Sequence, residues 1–127
     1  MKRYLFVTVL AGLVLTAFAI AQAATRSVDI SGAWSFSVDL GDAGHGEPTF
    51  TFKQNKETLT GDYDGPLGQY KVTGTVKENK AVFGFEFERD GEKHKATYTG
   101  TIESASKMTG TVEFSGGVSG TWTATKN

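Results

Sequence analysis

From Gly32 to Lys126 apolar and polar residues alternate almost without interruption, and the apolar positions are rich in aromatic and β-branched side chains. A two-residue period with no 3.6-residue pattern predicts strands rather than helices. It divides into eight: 32–40, 49–55, 57–63, 69–77, 80–88, 93–103, 106–114 and 118–126. Turn chemistry separates them, at Gly41 to Gly46, Asn55-Lys56, Asp64-Gly65-Pro66, Glu78-Asn79, Asp90-Gly91, Glu103 to Ala105 and Gly116-Gly117. Every connection is short, and a parallel pair needs a long crossover, so neighbouring strands are antiparallel.

A repeat runs through the pattern: apolar, Thr or Ser, Gly, any residue, apolar. It occurs as Ile30-Ser31-Gly32-Ala33-Trp34, Leu59-Thr60-Gly61-Asp62-Tyr63, Val72-Thr73-Gly74-Thr75-Val76, Tyr98-Thr99-Gly100-Thr101-Ile102, Met108-Thr109-Gly110-Thr111-Val112 and Val118-Ser119-Gly120-Thr121-Trp122. In each copy the glycine shares a face with the apolar residues while the hydroxyl residue points the other way. Glycine weakens a flat strand, so its repeated use marks sharp coiling or the close approach of a backbone or a bulky ring. The expected fold is an all-β, eight-stranded antiparallel up-and-down barrel; a β-sandwich with glycine bulges is the alternative.

The alternation also sorts the aromatic residues. Trp34, Phe36, Phe50, Phe52, Tyr63, Tyr70, Phe83, Phe85, Phe87, Tyr98, Phe114 and Trp122 all take the apolar phase, and Thr, Ser, Lys and Glu take the other. An outer-membrane barrel needs the reverse, so the reading is of a barrel in water.

The N-terminus changes the picture of where this happens. Met1-Lys2-Arg3 is a basic start, Tyr4 to Ile20 is mostly apolar, and Ala21-Gln22-Ala23 supplies small residues for cleavage. That is the layout of a secretory signal peptide, predicted over 1–23, with one domain over 24–127 and a periplasmic or extracellular location. Removing Lys2 and Arg3 from 13 basic residues leaves 11 against 14 acidic ones, a net charge of −3 for that domain. A mildly acidic domain without a basic run predicts no nucleic-acid partner and, once the signal is cut, no membrane. There is no cysteine, which excludes disulfides and thiol chemistry.

Reactive constellations are scarce. Asp42-Ala43-Gly44-His45-Gly46-Glu47 brings carboxylates and an imidazole into one loop, without the spacing of a specific metal motif. Asp62-Tyr63-Asp64-Gly65 has the start of a calcium loop but not its later ligands. A serine-nucleophile elbow and a phosphate-cradling glycine loop are both missing. No catalytic residue, cofactor or metal is assigned.

Gly32-Ala33-Trp34 at the start of an eight-strand meander resembles the calycins, the lipocalins and avidins, which open on Gly-x-Trp and pack a late basic residue across that Trp. The resemblance implies a cup-shaped barrel in which Lys126, on the phase of Trp122 and Ala124, covers Trp34. Avidin's polar biotin-binding constellation has no match, so biotin is not implied. The Thr-Gly repeat is also similar to uncharacterised domains of secreted bacterial proteins.

Eight strands enclose a space that side chains fill or that admits one small ligand. Tyr63, Tyr70, Tyr98 and His94 are the candidate ligand contacts, offering flat rings with a polar tip. Trp34, Gly32, Trp122, Lys126, Gly61, Gly74, Gly100, Gly110 and Gly120 are the candidate structural residues, with the in-strand glycines read as leaving room or letting the sheet coil. The expected function is a non-enzymatic barrel for a small apolar or aromatic molecule. A filled barrel acting as a structural or interaction module is the alternative.

Overall fold

The computed structural model describes residues 28–127, so the predicted signal segment lies outside the described residues. The strands are β1 (Gly32–Asp39), β2 (His45–Gly46), β3 (Thr49–Asn55), β4 (Thr58–Gly65), β5 (Gly68–Lys77), β6 (Lys80–Arg89), β7 (Glu92–Ser104), β8 (Lys107–Phe114) and β9 (Ser119–Lys126). β1 and then β3 to β9 pair with their neighbours in sequence order, all antiparallel. β9 returns to β1 with Trp34 opposite Lys126 and Val38 opposite Trp122. That last pairing closes the barrel and excludes the sandwich.

The eight expected strands are all present, their ends moved by at most two residues. The added element is β2. Residues 41–46 form a 3-10 turn over Gly41–Ala43 and then a two-residue strand against the end of β1, pairing Val38 with Gly46 and Asp39 with His45. The hairpin between β6 and β7 turns on Asp90 and Gly91, both at positive φ, which suits the right-handed twist of the paired strands.

One end of the barrel is sealed. Ile30 plugs it, held by its N–H donating to Gln54 Oε1 at 2.8 Å and by its carbonyl accepting from Trp34 Nε1 at 2.9 Å. Trp34, Leu59, Val76, Ala81 and Met108 are fully buried there. The middle is packed with rings. Phe36 lies 4.3 Å from Phe50, 4.9 Å from Trp122, and 6.0 Å from both Phe83 and Tyr98, centre to centre. These are the offset and edge-on contacts that aromatic rings prefer. The outward phase carries threonine, lysine and acidic residues, with Val82 as an exposed apolar exception. No described helix is long and apolar enough to cross a membrane.

Two glycines make the ring packing possible. Gly100 on β7 and Gly110 on β8 stand opposite each other, with Trp122 next in line on β9. A Cβ on Gly100 would lie 2.5 Å from Trp122 Cζ2, and one on Gly110 would lie 2.8 Å from it. The indole is laid across the two glycines, and its Nε1 donates to the Thr111 carbonyl at 2.8 Å. Gly110 shares a second need with Gly61, Gly74 and Gly120: a Cβ at these four would strike a backbone carbonyl of the next strand, those of Thr99, Thr51, Val82 and Asp39 respectively. The sheet coils too tightly for a side chain at these points.

Candidate functional site

The end opposite Trp34 is open. A cavity of about 470 Å³ lies there, between the last residues of β1, the 41–48 loop, the β4–β5 turn, the β6–β7 hairpin and the β8–β9 loop. Its walls are mainly apolar: Val38, Leu40, Pro48, Pro66, Leu67, Phe87, Phe114 and Val118. None of Gly61, Gly74, Gly100, Gly110 and Gly120 lines it, so the room they were expected to leave is taken by Trp122 and by neighbouring backbone. Space is instead left where the strands end and side chains no longer meet across the barrel.

Three of the four candidate ligand contacts reach this cavity: Tyr63, Tyr98 and His94. Tyr98 is the deep one. Its inward phase runs down β7 from His94 through Ala96, which at about 3.3 Å per residue puts its Cα roughly 13 Å below that of His94. Its ring packs parallel to Phe83 at 5.3 Å. Only 2% of the residue is exposed, and its hydroxyl has no hydrogen-bond partner among the described residues. Burial pushes the Tyr98 phenol far above its ordinary pKa, with the Tyr63 phenol adding a smaller push, so it stays a neutral donor.

Tyr63, also buried, comes from β4 and packs at a tilt against Phe85, 4.2 Å centre to centre. The Leu67 N–H approaches its hydroxyl oxygen at 3.5 Å, leaving the hydroxyl proton to donate elsewhere. Burial raises its pKa too, partly offset by that N–H. His94 stands half-buried at the rim, its ring 5.4 Å from Phe87 and nearly parallel to it. Tyr70 does not line the cavity. It is half-buried against Phe85 at 5.5 Å, and beside it a polar depression runs along Thr49, Asp62, Asp64 and Lys71. The Tyr70 ring is taken up by the core instead, stacked on Phe85 and 6.3 Å from Phe87.

The rim includes residues the sequence reading passed over. Arg89 continues the inward phase of Phe83, Phe85 and Phe87, one residue past the expected strand end, and lines the cavity. Phe114, placed by the sequence on the apolar phase but not among the ligand contacts, ends β8 and lines the cavity too. The signal for both was their phase. The 41–48 loop borders the cavity through Ala43 to Gly46, and His45 there faces Glu47 at 3.4 Å. No group of three or more His, Cys, Asp or Glu suited to a metal occurs among the described residues.

At the sealed end Trp34 is fully buried, and Lys126 is its direct partner across β1 and β9. The lysine is exposed and its Cε lies over Gly32, 2.8 Å from where a Cβ would stand. Gly32 also has a φ of +128°, which other residues rarely adopt. The described residues show no cation–ring contact between Lys126 and Trp34. The covering expected from the calycin resemblance is made over the glycine instead, and Ile30 fills the space beside the indole.

No protein-family pattern matches the sequence, and no curated protein does. Among solved structures the fold is similar to a redesigned β-barrel, with a TM-score of 0.64 and 16% identity, covering 77% of this chain and 91% of that one. It is also similar to a redesigned β-barrel bound to DFHBI, with a TM-score of 0.57 and 15% identity, covering 77% and 94%. At such identities the likeness concerns architecture alone, and by architecture this chain is similar to small closed β-barrels.

Proposed function

We propose that this protein is an exported, non-enzymatic binding barrel that holds one small, largely apolar molecule in the cavity at its open end. The observation that carries the reading is Tyr98: a buried tyrosine whose hydroxyl bonds to no described residue, on the wall of that cavity. Its hydroxyl is free to donate to an acceptor on a ligand, a hydrogen bond worth about 0.5–1.5 kcal/mol net. The volume falls in the range of small-molecule sites, and the walls are apolar with a few convergent polar groups, as such sites are. A neighbour of the same architecture is bound to a small dye, DFHBI, which supports a barrel of this size as a host. Export rests on the N-terminal sequence, and the expected mature chain starts at Ala24.

The test is titration with a panel of neutral aliphatic and aromatic compounds, followed by protein fluorescence, in the wild type and Tyr98→Phe. Saturable binding below millimolar concentration is expected, weakened by roughly 0.5–1.5 kcal/mol in the variant for ligands carrying an acceptor. Failure of every compound to bind below that concentration would refute the carrier and favour the filled accessory barrel.

A further inference from the structure

The charges around the cavity are one-sided. Its lining includes Arg89, His94 and His45 and not one aspartate or glutamate, although the domain as a whole has more acids than bases. His45 already faces Glu47 at 3.4 Å. Arg89 has no ion pair with any described residue. The nearest acid by register is Glu92, paired with Arg89 across the hairpin, with Asp90 at the tip; both are exposed and neither lines the cavity. Arg89 and His94 are diagonal neighbours on the inward faces of β6 and β7, because Phe87 pairs with His94 and Arg89 lies two residues further on. Diagonal pairs of this kind stand roughly 7–8 Å apart, close enough for both side chains to reach one ligand group.

We propose that the molecule held in the cavity is an anionic amphiphile: an apolar or aromatic body seated on Phe87, Phe114, Leu40 and Leu67, with a carboxylate or sulfonate at the mouth against Arg89 and His94. This rests on the binding reading above and narrows it. The guanidinium is always charged and presents a planar fork of donors that matches a carboxylate or sulfonate, and it meets no competing carboxylate in the cavity lining. The His94 ring, held against Phe87, offers a ring nitrogen as a second donor to the same group. At the other end of the cavity, Tyr98 supplies a neutral donor to any acceptor on the ligand body. The anionic end stays near water, so its desolvation cost is small.

A matched pair of probes tests this with the full exported protein: N-phenyl-1-naphthylamine, which is neutral, and 1-anilinonaphthalene-8-sulfonate, which has the same aromatic body with a sulfonate. The sulfonate is expected to bind about tenfold tighter or better, and Arg89→Gln to abolish that preference by weakening the sulfonate far more than the neutral probe. Arg89 is exposed, so the variant is expected to fold. Lys53→Gln removes the same charge from the outer wall and is expected to leave the preference intact. Equal affinities in the wild type, or an equal loss of preference in Lys53→Gln, would overturn the proposal while leaving the cavity reading standing. If neither probe binds, the binding reading itself falls.

Discussion

Tyr98 is buried and its hydroxyl makes no hydrogen bond to a described residue, so no protein contact of the fold depends on that group. Tyr98→Phe is therefore expected to leave neutral-pH stability in urea within about 0.5 kcal/mol of the parent, or to raise it. A loss above about 1.5 kcal/mol would mean that the hydroxyl is satisfied within the core. The same residue sets an alkaline limit. Its folded pKa is raised above the ordinary tyrosine value of about 10, as is that of Tyr63, so the unfolded chain releases its phenol protons first. The stability tied to these phenols is fully present below pH about 10 and is lost as pH rises beyond it. The urea midpoint is expected to fall above that pH, and to fall less in Tyr98→Phe. Trp34 behaves in the opposite way, because its indole is fully buried and hydrogen-bonded to Ile30. Trp34→Ala is expected to cost about 3–5 kcal/mol; unchanged denaturant stability would contradict its place in the sealed end.

At the scale of strands, the Thr-Gly repeat was legible as a local pattern and opaque as to purpose. Alternation put Gly100 and Gly110 on the inner face, but whether they make room for a ligand or for a ring depends on what the neighbouring strand carries at that level. Register answers it: Trp122 stands beside them, and its ring occupies the slot. Gly100→Val is expected to destabilise strongly although valine is the better strand former, since its Cβ would overlap the indole. A variant melting at or above the parent temperature would show the slot to be incidental. The strands themselves were readable because an uninterrupted two-residue period admits no other element. β2 was not, since a two-residue strand has no period and owes its place to the exposed edge of β1. Arg89 was missed because the expected strand stops at 88, ahead of the Asp90-Gly91 turn, while the backbone ladder continues to Arg89 opposite Glu92.

Closure belongs to the whole molecule. β1 and β9 are joined by six registered pairs across almost the full length of the described chain, from Trp34–Lys126 to Asp39–Thr121. No local pattern specifies that contact, which is why the sequence allowed a sandwich as well. A chain ending at Val118 loses the partner of both β1 and β8 and is expected to show no cooperative thermal transition; a sharp transition would mean that the remaining strands close without β9. The cavity, likewise, could not be read from phase, because inward residues at the mouth and in the packed middle share one alternation. It exists because rings from many strands meet around Phe36, whereas beyond Tyr98 the loops spread apart.

The most direct measurement is a two-dimensional NMR titration of the isotope-labelled protein with N-phenyl-1-naphthylamine. If the open end is the binding site, saturable shifts are expected at Tyr98, His94, Leu67 and Phe114, with Leu59, Ala81 and Met108 at the sealed end unmoved. Shifts absent up to millimolar probe, or scattered over the outer wall and the sealed end, would contradict the account.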